Sequence, residues 1–193
     1  MQQAAQALRK IGIYGGSFDP VHHGHLILAR EARERFDLEK VIFVPAAVSP
    51  FKANHGASAA DRLAMLRAAI SGETSFEVDD IELHRAAPSY TIDTIERIRD
   101  REPQTELFYL VGRDNVADLP KWHRFNDLET LVRFVVLDRT INDGPAAADM
   151  VGRKIDISAT DIRNRVASGR SIRYLVPESV NEIIHRRRLY QEN

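Results

Sequence analysis

Lys10-Ile11-Gly12-Ile13-Tyr14-Gly15-Gly16-Ser17-Phe18-Asp19-Pro20-Val21-His22-His23-Gly24-His25 is the stretch that decides the fold. Its first five residues form a short apolar run, closed by two glycines, which reads as a buried strand entering a tight turn. From His25 onward the pattern turns helical, with Leu26, Ala29, Ala32, Arg33 and Phe36 recurring at steps of three and four. A strand, a glycine turn and a helix in that order open a βαβ unit. Without side chains, Gly15 and Gly16 can bring backbone N–H groups close to an anion at the positive end of the following helix. His22 and His25, three apart across the junction, can point to one side and donate to the same anion. A Gly-x-Gly-x-x-Gly fingerprint and the Gly-Lys-Ser/Thr ending of a P-loop are both absent. A plain turn, satisfied histidines or the seed of a metal site remain as alternatives. The last lacks an acidic or Cys partner at suitable spacing.

The same alternation continues along the chain. Val41 to Val44 reads as a strand stopped by Pro45, and Ala59 to Ile70 as a helix with Leu63, Leu66 and Ile70 on one face. Phe76 to Leu83 reads as extended. Thr91 to Arg99 reads as a helix striped by Ile92, Ile95 and Ile98. Leu107 to Gly112 is the clearest buried strand, followed by Phe134 to Leu137 and a short Lys154 to Ile157. Helices are expected over Ala159 to Ala167 and Pro177 to Arg187. Apolar strands alternating with amphipathic helices predict an α/β fold, a doubly wound, Rossmann-like parallel sheet with helices on both faces in a single domain. Ligands of such sheets bind beyond the carboxyl ends of the strands, where strand order reverses. That rim gathers Gly15 to His25, Pro45 to Lys52, Gly112 to Asp114 and Ser158 to Arg163.

Composition narrows the field. With 193 residues the chain can bury a sizeable core as one domain, expected over residues 10–193 behind a short Gln/Ala-rich leader, residues 1–9. The leader lacks a signal pattern and no apolar run could span a bilayer, so no membrane partner is expected. Zero cysteines remove disulfides, thiolate metal sites and cysteine nucleophiles, and suit a reducing cytoplasm. A net charge of −1 argues against a nucleic-acid coat, and no basic-aromatic patch suggests single-strand binding. From Arg153 to Asn193, nine Lys/Arg stand against five Asp/Glu. That is either a solvated basic face or a set of arginines that meet phosphates.

Ile157-Ser158-Ala159-Thr160-Asp161-Ile162-Arg163 ends one element and opens a helix. Ser158 is a natural N-cap, and the free N–H groups behind it offer a second anion site. Arg163 can add a charge-assisted fork. A capped helix with a solvent-facing arginine is the plain alternative.

The block Gly15-Gly16-Ser17-Phe18-Asp19-Pro20-Val21-His22-His23-Gly24-His25 resembles the signature of the nucleotidyltransferase superfamily with the His-x-Gly-His core, and Ile157 to Arg163 is similar to its second signature. Three further segments narrow the resemblance to bacterial nicotinate-nucleotide adenylyltransferases: Pro88-Ser89-Tyr90-Thr91, Gly112-Arg113-Asp114, and Pro120-Lys121-Trp122. The resemblance spans Ile11 to Tyr190. It implies AMP transfer from ATP to nicotinate mononucleotide, by in-line attack on the α-phosphorus without a covalent intermediate. It implies that His22, His25, Lys52 and Arg163 serve the phosphates. Gly15, Gly16, Ser17, Phe18, Gly112, Asp114, Ile157, Ser158 and Thr160 would contact ATP, and Tyr90, Thr91 and Trp122 the mononucleotide. Mg2+ would be held mainly by ATP phosphates, because the motifs offer few carboxylates, and no protein metal ligand is expected.

The residue chemistry agrees with those assignments. Indole stacks well on a pyridine ring, Thr91 can offer a hydroxyl or N–H to a ring carboxylate, and Asp114 can accept from ribose hydroxyls. A packing role for Trp122 and a capping role for Asp114 are the bland alternatives. The chain departs from the family's usual Pro-Pro-His-Lys with Ser49-Pro50-Phe51-Lys52, keeping the lysine; His55, three residues on, is a candidate substitute for the missing histidine, and a loop without one is the alternative. The stretch Arg139 to Gly152 is short for the family, as a trimmed loop that bears on whether the chain forms a homo-oligomer. The small and polar residues from Pro45 to Gly56 would suit a lid. Rival readings are transfer to nicotinamide mononucleotide or phosphopantetheine, a non-catalytic nucleotide-binding regulator, and a nucleic-acid binder.

Overall fold

The structure, a computed structural model, describes residues 8–47, 56–85, 88–140 and 149–191. In chain order the elements are β1 (Arg9–Gly16), α1 (His23–Phe36), β2 (Lys40–Pro45), α2 (Ala59–Ala69), β3 (Phe76–Val78), a 3-10 turn (Ile81–His84), α3 (Thr91–Arg101) and β4 (Thr105–Gly112). Then come a 3-10 segment (Arg113–Lys121), α4 (Phe125–Leu131), β5 (Arg133–Asp138), β6 (Met150–Gly152), α5 (Ala159–Ala167) and α6 (Glu178–Arg186). The six strands form one sheet in the order β3-β2-β1-β4-β5-β6, with every pairing parallel. The expected doubly wound, single-domain α/β architecture is therefore the observed one, with its reversal point between β1 and β4.

Alternation along the strands builds two cores. Ile11 and Ile13 of β1, Ile42 and Val44 of β2, and Leu107, Tyr109 and Val111 of β4 face α3 and α4, where Ile92, Ile95, Ile98 and Leu128 bury against them. Tyr14, Phe43, Phe108 and Leu110 face the other way, against α1, α2, α5 and α6. The isoleucine stripe of α3 is as the spacing predicts.

Three local expectations fail for identifiable reasons. The sheet's last strand is Met150–Gly152, not Lys154 to Ile157. The regular ladder with β5 ends at Gly152; beyond it Arg153 N and Ile155 N still donate to the Asp138 and Arg139 carbonyls at 2.9 Å each, and the Ile157 carbonyl accepts from the Arg139 side chain at 2.8 Å. Phe76 to Leu83 is extended only as far as Val78. The Asp79 carboxylate then takes the Ile81 amide at 3.0 Å and Leu83 N bonds Asp80 O at 2.9 Å, which turns the chain into a 3-10 turn. On α2 the buried face is Arg62, Met65, Leu66 and Ile70, and Leu63 lies to its side. A buried arginine breaks the apolar period that sequence reading relies on. Of the Arg139 to Gly152 stretch, residues 141–148 lie outside the described residues.

The ladders show where the sheet opens. Pairing of β1 with β4 stops at Tyr14 opposite Leu110, while pairing with β2 continues to Gly16 opposite Pro45. The strands part at Gly15, and the Tyr109 ring leans across that point. A Cβ on residue 15 would sit 2.3 Å from the Tyr109 hydroxyl, so only glycine fits there. We predict that Gly15→Ala lowers the unfolding free energy in urea by about 1–3 kcal/mol. In the same chain Tyr109→Phe, which removes the obstructing oxygen, should recover much of that loss. Strictly additive effects of the two changes would contradict the contact.

Candidate active site

A cavity of about 730 Å3 opens at the carboxyl end of the sheet between β1 and β4. Every described residue expected at the site lines it except Ile157. Ile157 packs toward the α1 core while its carbonyl holds Arg139. Lys52, together with Phe51, His55 and most of the Pro45 to Gly56 stretch, lies outside the described residues.

The first wall is the β1–α1 loop. The Gly16 carbonyl accepts from Ala46 N at 2.9 Å, which fastens the turn to the end of β2. Phe18 takes a left-handed φ of 46° and buries its ring, placed edge-on to His25 at 5.2 Å between centroids. His22 is the N-cap of α1. Its ring stacks on that of His25 at 3.8 Å and 24°, and its backbone N–H donates to His25 Nδ1 at 3.3 Å. Gly24 makes room for this pair, because a Cβ there would touch the His22 ring at 3.0 Å. The His22 ring is 1% exposed and its Nδ1 has no hydrogen-bond partner among the described residues. Desolvation pushes the His22 pKa down to about 3, with Arg139 and His23 adding to the effect. His25, enclosed by Tyr14, Phe18 and His22, is also held well below 6.5 by desolvation, reinforced by His22 and Arg139. Both rings are therefore neutral at physiological pH.

The second wall is the start of α5. Ser158 caps it by accepting the Asp161 amide at 3.1 Å, as its residue type predicts. Arg163 turns back across the crevice. One guanidinium nitrogen donates to the Asp19 carbonyl at 2.7 Å and another to Thr160 Oγ1 at 3.2 Å, so the two motifs are joined although 144 residues separate them.

The third wall belongs to β4, α3 and the 3-10 segment. Thr91 is the first residue of α3, the preceding Tyr90 makes no side-chain cap, and Thr91 hydrogen-bonds the Tyr109 side chain. Trp122 stands edge-on to Tyr109 at 5.7 Å, and Tyr90 stacks on His123 at 4.2 Å. Asp114 folds back over the end of β4, where a Cβ on Gly112 would lie 2.6 Å from its carboxylate oxygen. The bare Gly112 is thus what lets an acid sit at the crevice.

Arg139, Asp19, Glu82 and His123 are among the lining residues to which the sequence reading gave no role. Arg139 follows β5, where the buried Asp138 carboxylate takes Thr140 N and Oγ1 at 2.7 Å each and shapes the turn. Arg139 spends one nitrogen on the Ile157 carbonyl and faces the two histidines, whose protonation it opposes. Asp19 is buried and accepts from Gly56 N at 2.6 Å, Ala57 N at 3.1 Å and the Tyr190 hydroxyl at 2.7 Å. Glu82 accepts from Thr94 Oγ1 at 2.9 Å, and burial pushes its pKa up. His123 enters only as the stacking partner of Tyr90. No local pattern marks any of the four, because each owes its place to a strand or helix distant in sequence.

Among the described residues no helix is long and apolar enough to cross a membrane, and no group of three or more His, Cys, Asp or Glu gathers as a metal site.

Comparison with known proteins agrees with this geometry. The profile of the family described as cytidylyltransferase-like matches residues 13–165. A chain of Gemmatimonas aurantiaca named "Probable nicotinate-nucleotide adenylyltransferase" is 42% identical over 196 residues, covering 95% of this chain and 93% of its own length. One of Exiguobacterium sibiricum with the same name is 42% identical over 186 residues, covering 94% and 98%. Among solved structures, Plasmodium falciparum nicotinic acid mononucleotide adenylyltransferase complexed with NaAD superimposes with a TM-score of 0.75 at 18% identity, covering 94% of this chain and 97% of that one. That likeness speaks to the fold. On the profile and the identity over nearly the full length, the chain belongs to the cytidylyltransferase-like family, and within it to the nicotinate-nucleotide adenylyltransferases.

Proposed function

We propose that the chain transfers AMP from ATP to nicotinate mononucleotide, giving nicotinate adenine dinucleotide (deamido-NAD) and pyrophosphate, a step of NAD biosynthesis. The observation that carries this reading is one cavity lined both by the starts of two helices, α1 and α5, and by Thr91, Tyr109 and Trp122.

The mononucleotide's phosphate oxygen attacks the α-phosphorus in line, the bond from that phosphorus to the β-phosphate oxygen breaks, and pyrophosphate leaves. The protein positions the reactants and stabilises charge. The backbone from Gly15 to Phe18 and the rings of His22 and His25 meet the triphosphate, with each neutral imidazole donating one N–H to a phosphate oxygen. As charge builds on the departing pyrophosphate, those bonds strengthen while the bound ground state gains less. Ser158, Thr160 and Arg163 hold the outer phosphates, Ile157 contributes backbone only, and Lys52 reaches a phosphate from the stretch after β2. We add Arg139, a cation facing the same oxygens. Gly112 and Asp114 take the ATP ribose.

The acceptor ring stacks on Trp122 with Tyr90 beside it, and its carboxylate meets the uncapped amide of Thr91 at the positive end of α3. That end favours an acid over an amide.

The donor set fits a triphosphate that brings its own cation. The buried Asp19 carboxylate is occupied by two amides and Tyr190, which leaves mainly nitrogen donors and hydroxyls toward the phosphates. A divalent ion, magnesium in this reading, is then held by phosphates and water, and supplies neutralisation of triphosphate charge when bound. Residues 10–193 act as one nucleotidyltransferase domain, and a chain without cysteine suits work in the cytoplasm.

Trp122→Ala is expected to raise the KM for the mononucleotide about tenfold and to leave that for ATP within about twofold, since stacking is worth roughly 1 kcal/mol beyond area. Equal changes in both constants would remove the acceptor ring from Trp122. A pH series tests the histidines. Above pH 6.5 the folded and unfolded chains both hold His22 neutral. Between 6.5 and about 3 the unfolded chain binds its proton and the folded one does not, so stability falls as pH falls. His22 alone should cost about 2 kcal/mol of unfolding free energy between pH 7 and 5. Saturating ATP should flatten that slope, because phosphate oxygens favour the protonated rings. A slope in the free protein unchanged by replacing both histidines with asparagine would refute the neutral pair.

A further inference from the structure

Arg62 is the largest fully buried side chain among the described residues, 1% exposed, on the α2 face where the apolar period calls for a hydrocarbon. An isolated buried cation is costly, and burial lowers the pKa of this guanidinium. Its hydrogen bonds among the described residues run to backbone carbonyls, with Nη1 donating to Ser17 at 2.7 Å, and Nη2 to Ala46 at 2.8 Å and Ala47 at 3.3 Å. Nε has no partner there. The Asp19 charge faces the guanidinium and favours its ionised form. Ser17 belongs to the loop after β1, and Ala46 and Ala47 to the chain leaving β2. Asp19 in turn receives the amides of Gly56 and Ala57, where the described chain resumes. Two buried, opposite charges therefore fasten the loop after β1 to both flanks of the segment that follows β2.

We propose that Arg62 is a positioning residue, its three-carbonyl fork fixing the spacing between the triphosphate loop at Ser17 and the chain leaving β2 at Ala46 and Ala47, where Ala46 lines the same cavity. A planar, always-charged fork suits this task. A lysine offers one point charge and cannot span carbonyls from two segments in the same way. Proximity makes the spacing matter, because a displacement of about 1 Å between reactants can cost about 100-fold in rate. Arg62 touches neither reactant. It acts through the backbone it holds, so its effect falls on turnover more than on ATP affinity. The assignment rests on the adenylyl-transfer reading for the role of the Ser17 loop, but the linkage of the two segments does not.

The test compares the parent protein with Arg62→Met, which keeps volume and loses the donors, and Arg62→Lys, which keeps the charge. Three quantities are measured: amide hydrogen exchange, ATP-binding stoichiometry, and steady-state kinetics with ATP and nicotinate mononucleotide. In both variants exchange should quicken together in peptides covering Gly15–Val21 and Val44–Ala47, and stay at the parent rate in β4 and β5. One ATP should still bind per chain, while kcat falls about 100-fold and the ATP KM changes less than about threefold. Turnover within twofold of the parent, exchange quickening in only one of the two peptides, or substoichiometric ATP binding with normal turnover per binding-competent chain would each overturn the proposal. Should Arg62→Met not fold, Arg62→Lys carries the same three readouts. An inactive parent would refute the transfer reading alone, and the paired exchange result would still decide the linkage.

Discussion

The divergence of the chain on either side of β1 is the constraint from which the rest of the molecule follows. Right-handed crossovers send α1 and α2 to one face as the chain moves from β1 to β3, and α3 and α4 to the other as it moves outward through β4. At the reversal the cavity opens beyond the ends of β1 and β4, and the ladder between them ends at Tyr14. The crevice is thus a product of handedness, independent of any ligand. What the sequence adds is its lining: glycines at the turn after β1, imidazoles and arginines around the starts of α1 and α5, and aromatic rings beside α3.

Tyr109 and Asp19 are the two points at which the lining is held to the scaffold. Tyr109 presses on Gly15, takes a hydrogen bond from Thr91 and meets Trp122 edge-on, so the loop after β1 and the start of α3 share one ring. The carboxylate and carbonyl of Asp19 bind Gly56, Ala57, Tyr190 and Arg163, drawing together segments from both ends of the chain. Burial of such polar hubs is tolerable because their hydrogen-bonding capacity is used, and a satisfied network of this kind specifies one arrangement. The histidine pair differs. Its rings are stacked and desolvated, and His22 Nδ1 has no partner among the described residues.

Sequence reading recovers what is local. The strand-glycine-helix succession, the isoleucine stripe of α3 and the Ser158 cap are each written in neighbouring residues, and each stands where the spacing puts it. The failures have one source. Arg139, Asp19, Glu82 and His123 line the cavity through contacts with distant segments, so no spacing announces them. Arg62 both escaped notice and misled, since a buried charge on α2 shifts the apparent apolar face to Leu63. Lys154 to Ile157 has the composition of a strand, but it keeps a single backbone bond, from Ile155 N to Arg139 O, and the Ile157 carbonyl takes the Arg139 side chain.

The central claim is that this crevice joins adenylate to a pyridine mononucleotide bearing a carboxylate. Its most direct test supplies the purified protein with ATP, magnesium and, in separate reactions, nicotinate mononucleotide, nicotinamide mononucleotide or phosphopantetheine, and measures pyrophosphate release. The uncapped start of α3 predicts release with all-round preference for nicotinate mononucleotide, by at least about tenfold in kcat/KM over the amide, since one charge-assisted hydrogen bond is worth roughly 1.5–3 kcal/mol. Equal rates with acid and amide, or faster release with phosphopantetheine, would contradict the account.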